Sequence, residues 1–294
     1  MLLHKIRQWS GIQRRLYPEP EDLKIKEDKI HSSMMSHFVM VHGASHGAWS
    51  WFKVRALLET SGYKVTCLDL KSAGIDRTDP NTVFTLEEYN KPLINLLHNL
   101  PHNEKVILVG HSIGGLNVTD AINRFGYGKI HTAVYVAADM SDRRTEDVKV
   151  LFPASINQGA AQNGISPDMF ELEYALGPDK FPTSIMVKKE YQRELYYHMS
   201  PVEDSTLASM VLKPAPARVF ACAPFEGGPP DAAKVRRVYI RTLNDHLFKL
   251  ENQDAMIAKC NPSQIFNIDS EHCPFFSNPL VLSGLLVQLA ASIN

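Results

Sequence analysis

Lys105-Val106-Ile107-Leu108-Val109-Gly110-His111-Ser112-Ile113-Gly114-Gly115-Leu116 is the stretch on which the fold is read: a β-branched apolar run passes through a G-x-S-x-G turn into an apolar-periodic segment. A buried strand that turns directly into a helix at a serine is a sharp, strained junction, and it leaves the hydroxyl standing clear of the sheet. Neighbours two residues to either side crowd such a turn, so Gly110 and Gly114 are expected to lack side chains for steric reasons. The bare motif also fits a glycine-rich turn with an ordinary capping serine. The strand before it and the helix after it favour Ser112 as a nucleophile.

Working outward, short apolar runs alternate with amphipathic stretches from His37 onward, the pattern of an α/β domain whose helices cover both faces of a mostly parallel sheet. Strands are expected at Phe38–Val41, Lys64–Leu68, Lys105–Val109, Thr132–Val136, Arg237–Arg241 and Gln264–Ile268. Helices are expected at Trp51–Thr60, Leu86–Leu100, Leu116–Phe125 and Leu280–Ser292. From about residue 140 to 217 no central strand is evident; aromatic residues, Met and Pro dominate, with Pro214-Ala215-Pro216 near the end. A helical cap inserted between strands is the reading, because long insertions in compact domains are more often functional lids than idle loops. An idle second helical layer is the alternative.

Residues 1 to 36 read as an extension outside the core, with basic residues first and an acidic, Pro-containing cluster after them. The basic, acid-free first 17 residues suggest an organelle presequence, plastid included, but there is no apolar h-region and little serine; a cytoplasmic tail fits better. The chain has 294 residues, and 31 Lys+Arg stand against 32 Asp+Glu, a balance that argues against a nucleic-acid-binding protein. The composition, 44% hydrophobic and 21% charged, is that of an ordinary globular domain. No run reaches the roughly 18 apolar residues of a membrane span, so no membrane role is expected. Cys67, Cys222, Cys260 and Cys273 are scattered, without a C-x-x-C pair, so neither a disulfide framework nor a zinc site is expected. The sequon at Asn117 falls where a helix should face the core, against glycosylation.

A serine hydroxyl is a weak nucleophile at neutral pH; it needs a base, and the base needs a carboxylate to hold its tautomer. Asp245 follows the strand Arg237–Arg241 and His272 follows Gln264–Ile268, so Ser112, Asp245 and His272 can meet at the carboxyl edge of the sheet, where open α/β folds place ligands. Asp269 is the reserve for the acid. Asp69 comes too early in the chain, and Asp269 and Glu271 sit too near the imidazole on its own loop to approach Nδ1 easily. Of the other histidines, His42, His46 and His111 lie in tight turns, and His98 and His102 read as helix-end or surface residues. The loop Val41-His42-Gly43-Ala44 is placed to supply one backbone N–H to an oxyanion, from Ala44, and Ile113 a second. No phosphate-binding loop, dinucleotide fingerprint or H-E-x-x-H is present, so no cofactor and no metal are expected.

On these residues the chain resembles the plant methylesterase and hydroxynitrile lyase family of α/β-hydrolases, from about His37 to the C-terminus. The resemblance rests on Val41-His42-Gly43-Ala44 with Gly47-Ala48-Trp49 and Trp51, and on Leu68-Asp69-Leu70 with Gly74-Ile75-Asp76. It also rests on Gly110-His111-Ser112-Ile113-Gly114-Gly115, Ser200-Pro201, Leu207-Ala208-Ser209, Pro214, Val235 to Ile240 and His272-Cys273-Pro274-Phe275-Phe276. It implies an α/β-hydrolase domain over 37–294 and a methyl-ester substrate of a small plant acid such as jasmonate, indole acetate or salicylate, with the cap walling an apolar pocket.

The lyases of that family carry a threonine, a lysine and usually a glutamate where this chain has Gly43, Cys273 and His111, which favours the esterase branch. A hormone receptor built on the same fold, with slow or no turnover, is the other alternative. Relatives often have an aromatic residue where this chain has Asp139. That carboxylate either faces the substrate pocket or caps the first helix of the insertion. Ala73 before Gly74 stands where many relatives have serine. The partner expected is a small-molecule ester; oligomeric state, a homodimer included, is left open.

Overall fold

The computed structural model describes residues 36–141, 165–220, 225 and 227–293. The expected extension lies outside the described residues except for Ser36, as do Cys222 and residues 142–164 of the insertion. Cys67 and Cys273 are free thiols.

Six strands form the central sheet: β1 (His37–Val41), β2 (Lys64–Leu68), β3 (Val106–His111), β4 (Ile130–Val136), β8 (Arg236–Thr242) and β9 (Gln264–Ile268), in the spatial order β2-β1-β3-β4-β8-β9. Every neighbouring pair is parallel. The strands alternate cleanly. Val39, Val41, Leu108, Ala133, Tyr135 and Tyr239 face one side of the sheet, and Phe38, Met40, Val109, Val134, Val136, Val238 and Ile240 the other. Helices α2 (Leu86–Asn99) and α3 (Gly114–Lys129) contribute Leu93, Leu97, Val118 and Ile122 to the first core. Helix α1 (Phe52–Thr60) and α9 (Pro279–Ala291) contribute Val54, Leu58, Leu282 and Leu286 to the second. Two buried faces explain why the central strands read as continuous apolar runs.

The sequence-based boundaries hold to within a residue or two for the strands. Lys64–Leu68 and Gln264–Ile268 coincide with the observed strands, whereas β3 extends through His111. The expected helix end at Phe125 corresponds to a break in α3 at Gly126, where φ is +52°. Outside the insertion the expected helices omit α7 (Leu250–Cys260) between β8 and β9 and the single turn α8 (Pro274–Ser277) before α9. Asn117 lies within α3, buried, its amide donating to Asn90 Oδ1 at 3.1 Å.

The described part of the insertion corrects the expectation of a purely helical cap. It contains helices α4 (Lys189–Tyr196), α5 (Val202–Val211) and α6 (Ala217–Phe220), together with an antiparallel three-stranded sheet of β5 (Phe170–Glu173), β6 (Ser184–Val187) and β7 (Ala215–Pro216). Pro216 occupies a strand, at the sheet edge where its missing N–H is tolerated.

β1 leads toward β2 on one side, and β3 leads toward β4 on the other, so the chain diverges between the carboxyl ends of β1 and β3. Such a switch point opens a crevice at the sheet edge. The turn after β3 packs closely enough there to exclude side chains. A Cβ on Gly115 would lie 1.9 Å from the carbonyl oxygen of Asp139, a backbone atom that cannot swing away. Gly115→Ala is expected to lower the unfolding free energy by about 3 kcal/mol or more, read from its denaturant midpoint.

Candidate active site

Ser112 follows β3 directly and has φ +54°, in the left-handed region that disfavours side chains. Holding a non-glycine residue there costs on the order of 1–3 kcal/mol. Its backbone is pinned on both sides: its N–H donates to Val136 O at 3.1 Å, and its carbonyl accepts from Gly115 N and Asp139 N at 3.1 and 3.0 Å. A Cβ on Gly110 would approach Val118 Cγ2 at 2.6 Å, and one on Gly114 the His42 carbonyl oxygen at 2.5 Å, so both motif glycines are sterically required. Gly43 has the same constraint, 2.9 Å from Ser112 Cβ. Sequence reasoning did not anticipate the steric need at Gly43 and Gly115, because each clash involves a different segment of the chain.

The three residues from β3, β8 and β9 converge. Ser112 Oγ donates to His272 Nε2 at 3.0 Å, and His272 Nδ1 donates to Asp245 Oδ2 at 2.7 Å. The imidazole and its carboxylate are both buried. Asp245 is itself fixed: Oδ1 accepts from the backbone N–H groups of Leu247 and Phe248 at 2.9 and 2.7 Å, and Oδ2 also accepts from Thr242 Oγ1 at 3.0 Å. Gln253, on the unforeseen helix α7, donates to Thr242 Oγ1 and to the carbonyls of Thr242 and Phe248, bracing this loop from behind.

The reserve acid is elsewhere. Asp269 accepts from Asn244 Nδ2 at 2.7 Å at an exposed position, and it lines an open groove of about 640 Å³ with His198, His246 and Lys249 that does not include Ser112. Asp69 serves the loop after β1: its carboxylate accepts from Ala48 N at 2.6 Å and Ile75 N at 3.2 Å. Asp139 is buried, and its Oδ1 accepts from Ser141 N at 2.8 Å, the two-residue step typical of a capping aspartate. Helix formation beyond Ser141 falls outside the described residues.

The loop after β1 presents Ala44 beside the turn. The Gly43 carbonyl, which shares a peptide plane with the Ala44 N–H, accepts from His42 Nδ1 at 2.8 Å and from His46 N at 3.3 Å. Because a trans peptide sets N–H and C=O antiparallel, these bonds aim the Ala44 N–H away from His42. Among the described residues, nothing accepts from the N–H of Ala44 or Ile113.

The three histidines in the tight turns are structural in their contacts. His42 Nε2 accepts from Leu70 N at 3.1 Å, His46 Nδ1 donates to Ala44 O and Nε2 accepts from Tyr197 Oη at 2.7 Å, and His111 Nε2 donates to the His272 carbonyl at 2.7 Å. Burial lowers the pKa of all three, that of His46 to about 3 and that of His111 well below its ordinary value. All three therefore stay neutral at physiological pH, and His272 is the imidazole aligned with Ser112. Cys273, next in the chain, is buried and its thiol is held protonated, its pKa pushed well up by burial. Among the described residues no group of three or more His, Cys, Asp or Glu is arranged to hold a metal ion, and no helix is long and apolar enough to cross a membrane.

A strand–serine–helix turn on a parallel sheet, with acid and base supplied from later strands, defines an α/β-hydrolase. The family model described as the alpha/beta hydrolase family matches residues 38–283. Methylesterase 17 of Arabidopsis thaliana is 45% identical over 264 residues, covering 88% of this chain and 92% of that protein. The pheophorbidase of Raphanus sativus is also 45% identical, over 88% of this chain and 95% of its own. The crystal structure of the methylesterase MES16 from Arabidopsis superposes with a TM-score of 0.75 at 42% identity, over 87% of this chain and 99% of that one. The chain belongs to the alpha/beta hydrolase family, in its plant methylesterase branch.

Proposed function

We propose that the protein is a serine carboxylesterase that hydrolyses methyl esters of small plant acids through an acyl-enzyme. The observation that carries this reading is the continuous relay from Ser112 Oγ to His272 Nε2 at 3.0 Å and from His272 Nδ1 to Asp245 at 2.7 Å. His272 would take the Ser112 proton as Oγ attacks the ester carbonyl, and the imidazolium, held by Asp245, would return it to departing methanol. The same imidazole would then activate the water that releases the acid. The N–H groups of Ala44 and Ile113 are free to receive the tetrahedral oxyanion, and each such donor is worth ~2.7–4 kcal/mol of transition-state stabilisation. Serine acyl transfer of this kind calls for no metal or organic cofactor.

The names of the relatives support methyl as the alcohol, and jasmonate, indole acetate or salicylate type acids are the acyl groups to test first. Hydrolysis is favoured over cyanohydrin cleavage because the residue after the base is the neutral Cys273, which offers departing cyanide no positive charge. The test is a panel of methyl esters given to the purified protein: equimolar acid and methanol support the reading, and no turnover of any ester, with ligand-dependent capture of a protein partner, would replace it with a receptor. A cytoplasmic location is proposed with it, checked by imaging a fluorescent fusion of the full chain; import into plastids would overturn it.

The loop after β1 should matter to kcat as well as the relay. Asp69→Ala removes the acceptor of Ala48 N and Ile75 N and loosens the segment that carries Ala44. A loss of about 10- to 100-fold in kcat with little change in KM is expected, since roughly 1 Å of misplacement costs about 10²-fold.

A further inference from the structure

Five consecutive cap residues, Tyr196 to Ser200, touch three loops of the candidate site, those after β1, β8 and β9. The Tyr197 hydroxyl donates to His46 in the loop after β1, and the Tyr196 ring lies along His272 with centroids 5.9 Å apart and planes at 28°. His198 stacks on His246 beside Asp245, at 3.8 Å and 7°. Met199 N–H and the Ser200 hydroxyl donate to the two carboxylate oxygens of Glu271, at 2.7 and 2.8 Å. Glu271 is completely buried and immediately precedes His272. Burial of a carboxylate is unfavourable unless its oxygens are bonded, and here both are, to donors from the cap.

We propose that Glu271 is a positioning residue for His272: its carboxylate ties the loop carrying the base to the cap and places a second negative charge behind the imidazole. This rests on the esterase reading above. Asp245 already occupies Nδ1, so Glu271 acts on the loop and through space. The groups facing it are Ser270, His272 and Cys273 on its own loop, Ser277 on helix α8 (Pro274–Ser277), and Tyr197, Met199 N–H and Ser200 from the cap. Of these, only the imidazole can become positively charged. Burial raises the pKa of Glu271, and Ser200, Ser277 and Met199 partly offset that, so its charge is lost on acidification earlier than that of an ordinary glutamate.

Two variants separate anchor from charge. In Glu271→Gln the amide oxygen can accept from Met199 N–H and the amide N–H can donate to Ser200, whose hydroxyl rotates; the anchor survives and the charge does not. Glu271→Ala removes both. Kinetics on a methyl ester from about pH 5 to 9 should show the acidic limb of kcat/KM in Glu271→Gln shifted down by about one pH unit, because the imidazolium has lost a nearby negative charge. In Glu271→Ala, kcat should fall about 100-fold with KM little changed, the signature of a misplaced base.

Wild-type kcat and an unmoved acidic limb in both variants would overturn the proposal. If Glu271→Ala does not fold, the Glu271→Gln profile alone decides. If the wild type hydrolyses no ester, the esterase reading fails separately. The His272 ring titration, followed by ¹⁵N NMR in wild type and Glu271→Gln, then decides: a lower pKa in the variant supports the role of Glu271, and an unchanged one overturns it.

Discussion

Ser112→Ala is expected to lower kcat for methyl-ester hydrolysis about 10⁶-fold, the usual consequence of removing a triad nucleophile. At ~1.36 kcal/mol per decade this is ~8 kcal/mol of the barrier. The loss should be confined to chemistry. The hydroxyl makes one side-chain hydrogen bond, to His272 at 3.0 Å, and the backbone bonds that pin the turn at Val136, Gly115 and Asp139 do not involve it. The unfolding midpoint should therefore correspond to a change of no more than ~1 kcal/mol. Residual activity of ~10³–10⁴ over water would remain from oxyanion binding and substrate positioning. Acid release under saturating ester measures the effect, and a variant within tenfold of wild type would remove Ser112 from the mechanism.

Asp245→Asn should cost about 10⁴ in kcat, through the tautomer of the base. The local bonds determine which way the new amide must face. Asp245 Oδ1 receives two backbone N–H groups, from Leu247 and Phe248, so the asparagine oxygen has to take that side. Its NH₂ then points at Thr242 Oγ1 and at His272 Nδ1, where Oδ2 now accepts at 3.0 and 2.7 Å. A donor at Nδ1 moves the imidazole proton to Nε2, which then faces Ser112 Oγ as a donor and cannot take its proton. Flipping the amide would set NH₂ against two N–H donors, so rotation does not rescue it. Asp269→Asn is the matched control. Its carboxylate accepts from Asn244 at an exposed position and should leave kcat unchanged. A large loss there with little at Asp245 would exchange the two roles.

Much of this was legible before any coordinates, and the limits follow from physics. Central strands such as Val106–Val109 are buried on both faces, so continuous apolar runs mark them, and the chain order Ser112, Asp245, His272, each just past the end of a strand, follows from the same pattern. Helix α7 was not, because Leu-Glu-Asn-Gln-Asp-Ala-Met-Ile-Ala-Lys-Cys buries only Gln253 and Met256, one of them polar. The cap sheet was hidden for a related reason: β5 is Phe-Glu-Leu-Glu, four residues whose half-buried and exposed positions alternate over too short a span to separate from a loop.

Glu271 sits too near the imidazole on its own loop to reach Nδ1, and Asp245 occupies that atom. Its bonds to Met199 and Ser200 cross 72 and 71 residues, a separation no local pattern reveals. Asp69 comes too early in the chain for the acid, and its bond to Ala48 gives it a different task in the loop that presents Ala44.

The most direct measurement of the central claim is to trap the acylated protein. An activated ester whose acyl group is transferred faster than it is hydrolysed is mixed with the protein, quenched in acid within the burst, and the adduct located by intact mass and peptide mapping. A single acyl group on Ser112, absent from Ser112→Ala, is the predicted result. Ester turnover with Ser112 unmodified throughout, or an acyl group carried stoichiometrically on another residue, would contradict it.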